Sequence, residues 1–255
     1  MHTVLVECRI GQQLGEVPAG ERPDGRCQAS IAANGKNPMN VVSLRRHTGI
    51  FGLIATIISL VQLPLYFMYP GAPPQWNVLT RIFFSIVGTS ILIVFLCGFR
   101  LIIRSAGPDL EWAASIVLVS GIMWLTFSSV AQSMEAGTAI VSKLPIDPTI
   151  DGALAPGQFL LFGSIGRAMT TLFLSASGIA ILRGRLMPPW FGRLALALAL
   201  VNVAFLPAMF FGSDAATFYS AVGWGTTATV PALVVCWILA ASIILVRTPV
   251  RSVTP

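Results

Sequence analysis

The chain has 255 residues, of which 55% are hydrophobic and only 10% charged, where a soluble domain carries about 25% charged residues. That composition excludes a soluble single-domain enzyme, and also a disordered chain, which needs low hydrophobicity and high charge. The net charge of +6 does not make a nucleic-acid binder, because the basic residues are scattered at the ends of apolar runs and form no patch.

Residues 1–44 stand apart in composition. They carry Pro18, Pro23 and Pro38 and both charge signs, without a helical period. No apolar h-region marks a signal peptide. Two readings stay open for this segment: a disordered cytoplasmic tail, or a start assigned too early, with Met39 as the true first residue.

Six charge-poor stretches follow, at about 48–69, 81–103, 111–133, 157–182, 190–211 and 226–246. Each is near the ~20 residues that a spanning helix needs. The pattern predicts an all-α, polytopic membrane protein with six transmembrane helices. Pro70-Gly71-Ala72-Pro73-Pro74 stops the first stretch. Residues 134–156, with Pro145, Pro148 and Pro156, read as the one sizeable outer loop. Residues 248–255 read as a cytoplasmic tail.

Orientation follows from the arginines. With the N-terminus inside, the inner ends carry nine basic residues: Arg45, Arg46, Arg100, Arg104, Arg183, Arg185, Arg193, Arg247 and Arg251. The outer ends carry two, Arg81 and Lys143. This asymmetry predicts both termini in the cytoplasm. Trp76 and Trp224 then mark the outer boundary, and Trp112 and Trp190 the inner one. All basic residues but Lys36 and Lys143 are Arg, which suggests a GC-rich bacterial genome and so a bacterial plasma membrane.

Several chemistries lack their residues. His2 and His47 both lie outside the spans, so haem ligation, HExxH zinc chemistry and a Ser–His dyad at membrane depth are excluded. No Asp stands mid-span, no acidic pair has Mg²⁺ spacing, and there is no Walker A motif. Cys8, Cys27, Cys97 and Cys236 form no CxxC. Catalytic residues, metal and cofactor are therefore all expected to be none. Glu111 and Glu135 are the acids nearest a span, both read at helix ends; Glu135 keeps an embedded enzyme open as a third class.

The polar residues that remain carry the functional reading. Arg167 lies within an apolar stretch, sixteen residues before Arg183. At ~1.5 Å per residue that is about 24 Å, which puts it about 6 Å inside the outer boundary of a roughly 30 Å core. It either snorkels outward or bonds a neighbouring helix, or it holds a ligand or ion. Ser164, Arg167, Thr171, Ser175 and Gly178 step by helical spacing along one face, as do Ser128, Gln132 and Glu135 on the preceding span. Their antiparallel arrangement predicts an Arg167–Glu135 pair bridged by Gln132. Packing of small residues accounts for the same stripes. Arg81 opens the second span as a boundary residue, continued by Ser85 and Thr89. Pro64, Pro207 and Pro231 predict kinks in the outer halves of spans one, five and six, which would splay into a vestibule or be simply tolerated. Asn202 reads as interhelical glue.

Arg183-Gly-Arg-Leu-Met-Pro-Pro-Trp-Phe-Gly192 resembles a basic turn found in a broad group of six-span bacterial membrane proteins of unknown function. There an Arg-bearing helix ends in such a turn and a Pro-Trp-Leu-Gly step opens the next; here Phe191 replaces the Leu. The resemblance implies a six-helix bundle and transfers no active site.

The expected function is the binding or transport of a small amphipathic or anionic molecule, or a lipid, through an outward-facing cavity. Its candidate ligand residues are Arg167, Glu135, Gln132, Arg81, Ser164 and Thr171. The alternative is a structural or regulatory subunit whose polar stripes pack against a partner span. The expected partners are the bilayer, an anionic or lipid ligand, and a second membrane subunit or another copy of the chain.

Overall fold

A computed structural model describes residues 38–69, 71–142, 147–148 and 151–247. Residues 1–37 of the tail expected over 1–44, and the tail expected over 248–255, lie outside the described residues. The chain divides into two units, Met1–Val42 and Ser43–Pro255; the second contains nearly all of the described helical residues.

Among the described residues there is no strand. Six helices are long and apolar enough to cross a membrane: α1 (Val41–Tyr66), α2 (Gln75–Ala106), α3 (Pro108–Val141), α4 (Ala155–Gly184), α5 (Pro189–Phe211) and α6 (Gly225–Arg247). This is an all-α, multi-pass architecture. The helix containing α1 begins at Pro38, so residues 38–44 are helical rather than part of an irregular tail. Helix α2 starts at Gln75 rather than near 81, and α3 runs on to Val141 rather than ending near 133. The segment read as an outer loop is correspondingly shorter. The cause is that polar residues beyond the apolar runs, Asn77 and Glu135 among them, are buried between helices and so need no loop.

Neighbouring helices pack in antiparallel succession, with α3 against both α2 and α4, and α4 against α5. Helix α4 is the most enclosed of the six. The α4–α5 contact is close because Gly178 lies under the carbonyl of Gly192, where an added Cβ would come within 2.9 Å. Small residues allow backbones in a membrane to approach in this way. Helix α6 joins this pair through Trp237, which stacks on Phe191 at 5.1 Å and meets Phe173 edge-on at 5.8 Å. On α2, Phe95 and Phe99 stack at 5.6 Å inside the main core. Large apolar side chains such as Ile57, Phe83 and Leu200 face outward, as suits a hydrocarbon solvent.

The two ends of the bundle differ. At one end the turns are short and rich in arginine. Arg100 bonds Glu111 at 3.1 Å, and Arg104 bonds the same carboxylate, which clamps α2 to α3. Arg45 Nη2 donates to the carbonyl of Leu186 at 2.8 Å and ties α1 to the α4–α5 turn. That turn closes on Arg185 in the left-handed conformation, φ 48°.

At the other end the helices are broken. Helix α1 is interrupted at Gln62, with one further helical turn over Leu63–Tyr66. Helix α4 widens into a π turn over Leu161–Ile165, with a kink at Gly163. Helix α5 tightens into a 3₁₀ segment over Leu206–Phe211, and α6 opens with a π turn over Gly225–Thr229. Pro64, Pro207 and Pro231 each stand in or beside one of these breaks, since each removes a backbone donor. The break in α4 contains no proline.

Candidate functional site

Two separate polar clusters are buried towards the broken end. The first lies in the α2–α3 seam. Arg81 Nη2 donates to Glu135 Oε1 at 2.9 Å, and the two side chains are only 4% and 2% exposed. The ring of Tyr66, at the end of α1, covers the guanidinium at 3.9 Å, a cation–π contact. One turn along α2, Ser85 Oγ accepts from Gln132 Nε2 at 2.5 Å. In the other direction Asn77 Nδ2 donates to the carbonyl of Leu65 at 3.1 Å and anchors the end of α1.

The second cluster lies between α4 and α5, around Arg167. Its side chain is fully enclosed, one of the largest buried groups in the protein. Arg167 Nη1 donates to Asn202 Oδ1 at 3.4 Å and Nη2 to the carbonyl of Phe162 at 3.3 Å. Thr170 Oγ1 donates to the same Asn202 oxygen at 2.7 Å, and Asn202 Nδ2 donates to the carbonyl of Leu198 at 2.8 Å. Ser164 Oγ donates to the carbonyl of Leu206 at 3.1 Å and joins the π turn of α4 to the 3₁₀ segment of α5. The π turn of α6 completes the surround, since Gly163 lies against Ala221 and Thr226. Arg167 Nε has no partner. Among the described residues no carboxylate pairs with this guanidinium.

These positions correct the expected Arg167–Glu135 pair. Glu135 bonds Arg81, Gln132 bonds Ser85, and Arg167 bonds Asn202. Depth explains the difference. Gly166, next to Arg167, packs against Trp124, and Glu135 lies about 16 Å further along α3 at ~1.5 Å per residue. Arg167 does not snorkel either, because full enclosure leaves it no path to a headgroup. Arg81 is likewise a buried ion-pair partner rather than a boundary residue. Thr171 donates to the backbone carbonyl of Arg167 at 2.8 Å and is only half-buried, so its hydroxyl is spent on its own helix. Thr170, Asn77 and Tyr66 are not among the expected site residues. Asn202, expected as glue, serves as that and also contacts Arg167.

Two open grooves lie elsewhere. One, of about 300 Å³, runs between α2 and α3 and is lined by Thr89, Ile93, Thr126 and Ser129. The other, of about 570 Å³, lies beside the end of α3, at Met134, Gly137 and Thr138. Neither is lined by Arg167, Arg81 or Glu135.

No protein family matches the chain, and neither a curated protein nor a solved structure is similar to it.

Proposed function

We propose that the protein binds or moves a small anionic molecule, or an anionic headgroup, across a bacterial plasma membrane, with Arg167 as the anion contact. One observation carries this reading: Arg167 is a fully enclosed guanidinium with only neutral acceptors around it. A charged side chain at the centre of a spanning helix costs about 2.5–3.5 kcal/mol on insertion scales, and such charges are almost always paired. Asn202 and the Phe162 carbonyl supply dipoles but no charge, and Nε is unbonded. An anion supplies what is missing. The breaks in α4, α5 and α6 meet at Gly163 and Ser164, within about one turn of Arg167, and discontinuous helices of this kind are where membrane carriers place their ligands.

In this reading both termini face the cytoplasm, which puts the arginine-rich end inside and opens the broken end outward. Cysteines introduced at Ser213 and at Ser105, one at each end, report this orientation. A membrane-impermeant maleimide should label the first in intact cells and the second only after permeabilisation; the reverse pattern inverts the topology.

Native mass spectrometry in lipid nanodiscs, comparing the wild type with Arg167→Gln, tests the binding. A discrete small mass that accompanies the wild type and is lost in the variant supports the proposal. No adduct in either sample overturns it. A co-purifying second chain would favour a subunit role, for which the open groove beside Thr89 and Thr126 is the one supporting feature; the polar stripes do not serve it, being packed inside the chain.

A further inference from the structure

Three polar atoms along the α2–α3 seam have no partner: Asn77 Oδ1, Arg81 Nε and Gln132 Oε1. Their residues are 0%, 4% and 6% exposed. Buried orphans of this kind are satisfied by ordered water, which needs two to four polar partners to stay. The three stand at successive levels. Asn77 and Arg81 are one turn apart on α2, and Gln132 meets Ser85 one turn further. Water held on them would reach about 12 Å along α2 from its first turn. Glu135 sits in the middle of that path, bonded to Arg81.

Glu135 is also singular in its setting. It is 1% exposed, and the other described acids, Asp109, Glu111, Asp147, Asp151 and Asp214, are exposed or half-exposed. Arg81 faces it from α2, and Tyr66 covers that pair from α1. Asp147, in the loop after α3, is the nearby acid whose field reaches it, and Asp151 Oδ2 accepts from the backbone of Asp147 at 3.1 Å. Helix α4 contributes the uncharged Gln158 to the buried residues of its first turn.

We infer that Glu135 is a proton-binding site, reached from the broken end by water held on Asn77, Arg81 and Gln132. A proton from the solvent at the broken end is relayed through that water to a carboxylate oxygen of Glu135, which leaves the water neutral. Arg81 then loses its counter-charge while Tyr66 keeps it in place. The seam then carries one net positive charge, on an Arg81 guanidinium that the Tyr66 ring still covers. This proton site is independent of the proposed anion contact at Arg167, which belongs to the other cluster.

Infrared difference spectroscopy of the full chain in nanodiscs tests the proton site, with chloride from the buffer as the only small anion. The buffer is taken from neutral to mildly acidic, in H₂O and in D₂O. The carbonyl stretch of a neutral carboxylic acid should appear on acidification, move to lower frequency in D₂O, and vanish in Glu135→Gln. Glu135→Asp should keep the band at a displaced frequency, and it decides the matter if the Gln variant does not fold. No band before the folded structure is lost, or a band unchanged in both variants, overturns the site. Because no binding at Arg167 is required, that failure leaves the anion reading standing. Loss of anion binding with the band intact does the reverse.

Discussion

Asn202 Oδ1 accepts from two side chains at once, Arg167 Nη1 at 3.4 Å and Thr170 Oγ1 at 2.7 Å. The amide thus stands where a counter-ion would stand, while its nitrogen is fixed to the carbonyl of Leu198. Asn202→Asp puts a charge in that place. We expect this variant to unfold at a higher temperature than the wild type in the absence of anions, because a bare guanidinium gains a partner. It should also lose the small mass seen in native mass spectrometry, because the introduced carboxylate competes for Arg167. A less stable variant that still retains the adduct would contradict this arrangement.

The Arg81–Glu135 pair should behave as a coupled unit. Removing either charge leaves the other buried and unpaired, at a cost of about 3–5 kcal/mol, whereas replacing both by apolar residues is close to neutral. Arg81→Met and Glu135→Met should each lower the unfolding midpoint markedly, and the two together should recover most of the loss. A double-mutant cycle in detergent measures this coupling. Additive losses would mean that the two residues act independently.

Two glycines separate packing from propensity. At Gly178 an added Cβ meets the backbone carbonyl of Gly192 at 2.9 Å, so Gly178→Val should force α4 from α5 and cost about 1–3 kcal/mol. Gly137, in the extended end of α3, has open space around it. Gly137→Ala should therefore leave stability unchanged or raise it by up to about 1 kcal/mol, the helix cost of glycine. Thermal unfolding of both variants reads the contrast.

The six helices are legible in the sequence because hydrocarbon demands long, charge-poor runs, and the chain contains six of them. The partners of the polar residues are not legible there. A stripe of side chains fixes a helix face but not the level at which it meets its neighbour, so the stripes point Glu135 at Arg167 when Arg81 is the residue at its depth. The end of an apolar run suggests the end of a helix, but α3 continues through Gln132 and Glu135 because α2 buries them. The face of α4 is slightly displaced from its sequence pattern, with Thr170 and Ser177 fully buried in place of Thr171 and Ser175. Each step of four drifts about 40° round a helix of 3.6 residues per turn, so Thr171 and Ser175 turn progressively away from the face that Arg167, Thr170 and Ser177 share. The prolines announce three of the four breaks, and the break in α4 is marked only by the weaker signal of the Gly163–Ser164 pair.

If Arg167 is a buried charge awaiting an anion, thermal unfolding of the wild type and Arg167→Gln will separate the two. The protein is purified in detergent and probed with inorganic phosphate, sulfate and butyrate in turn. At least one of these should raise the unfolding temperature of the wild type and have no effect on the variant. Without anions the variant should be at least as stable as the wild type, because the uncompensated charge is gone. A variant that unfolds well below the wild type, together with a wild type that none of the anions stabilises, would contradict the account and make Arg167 a structural link between α4 and α5.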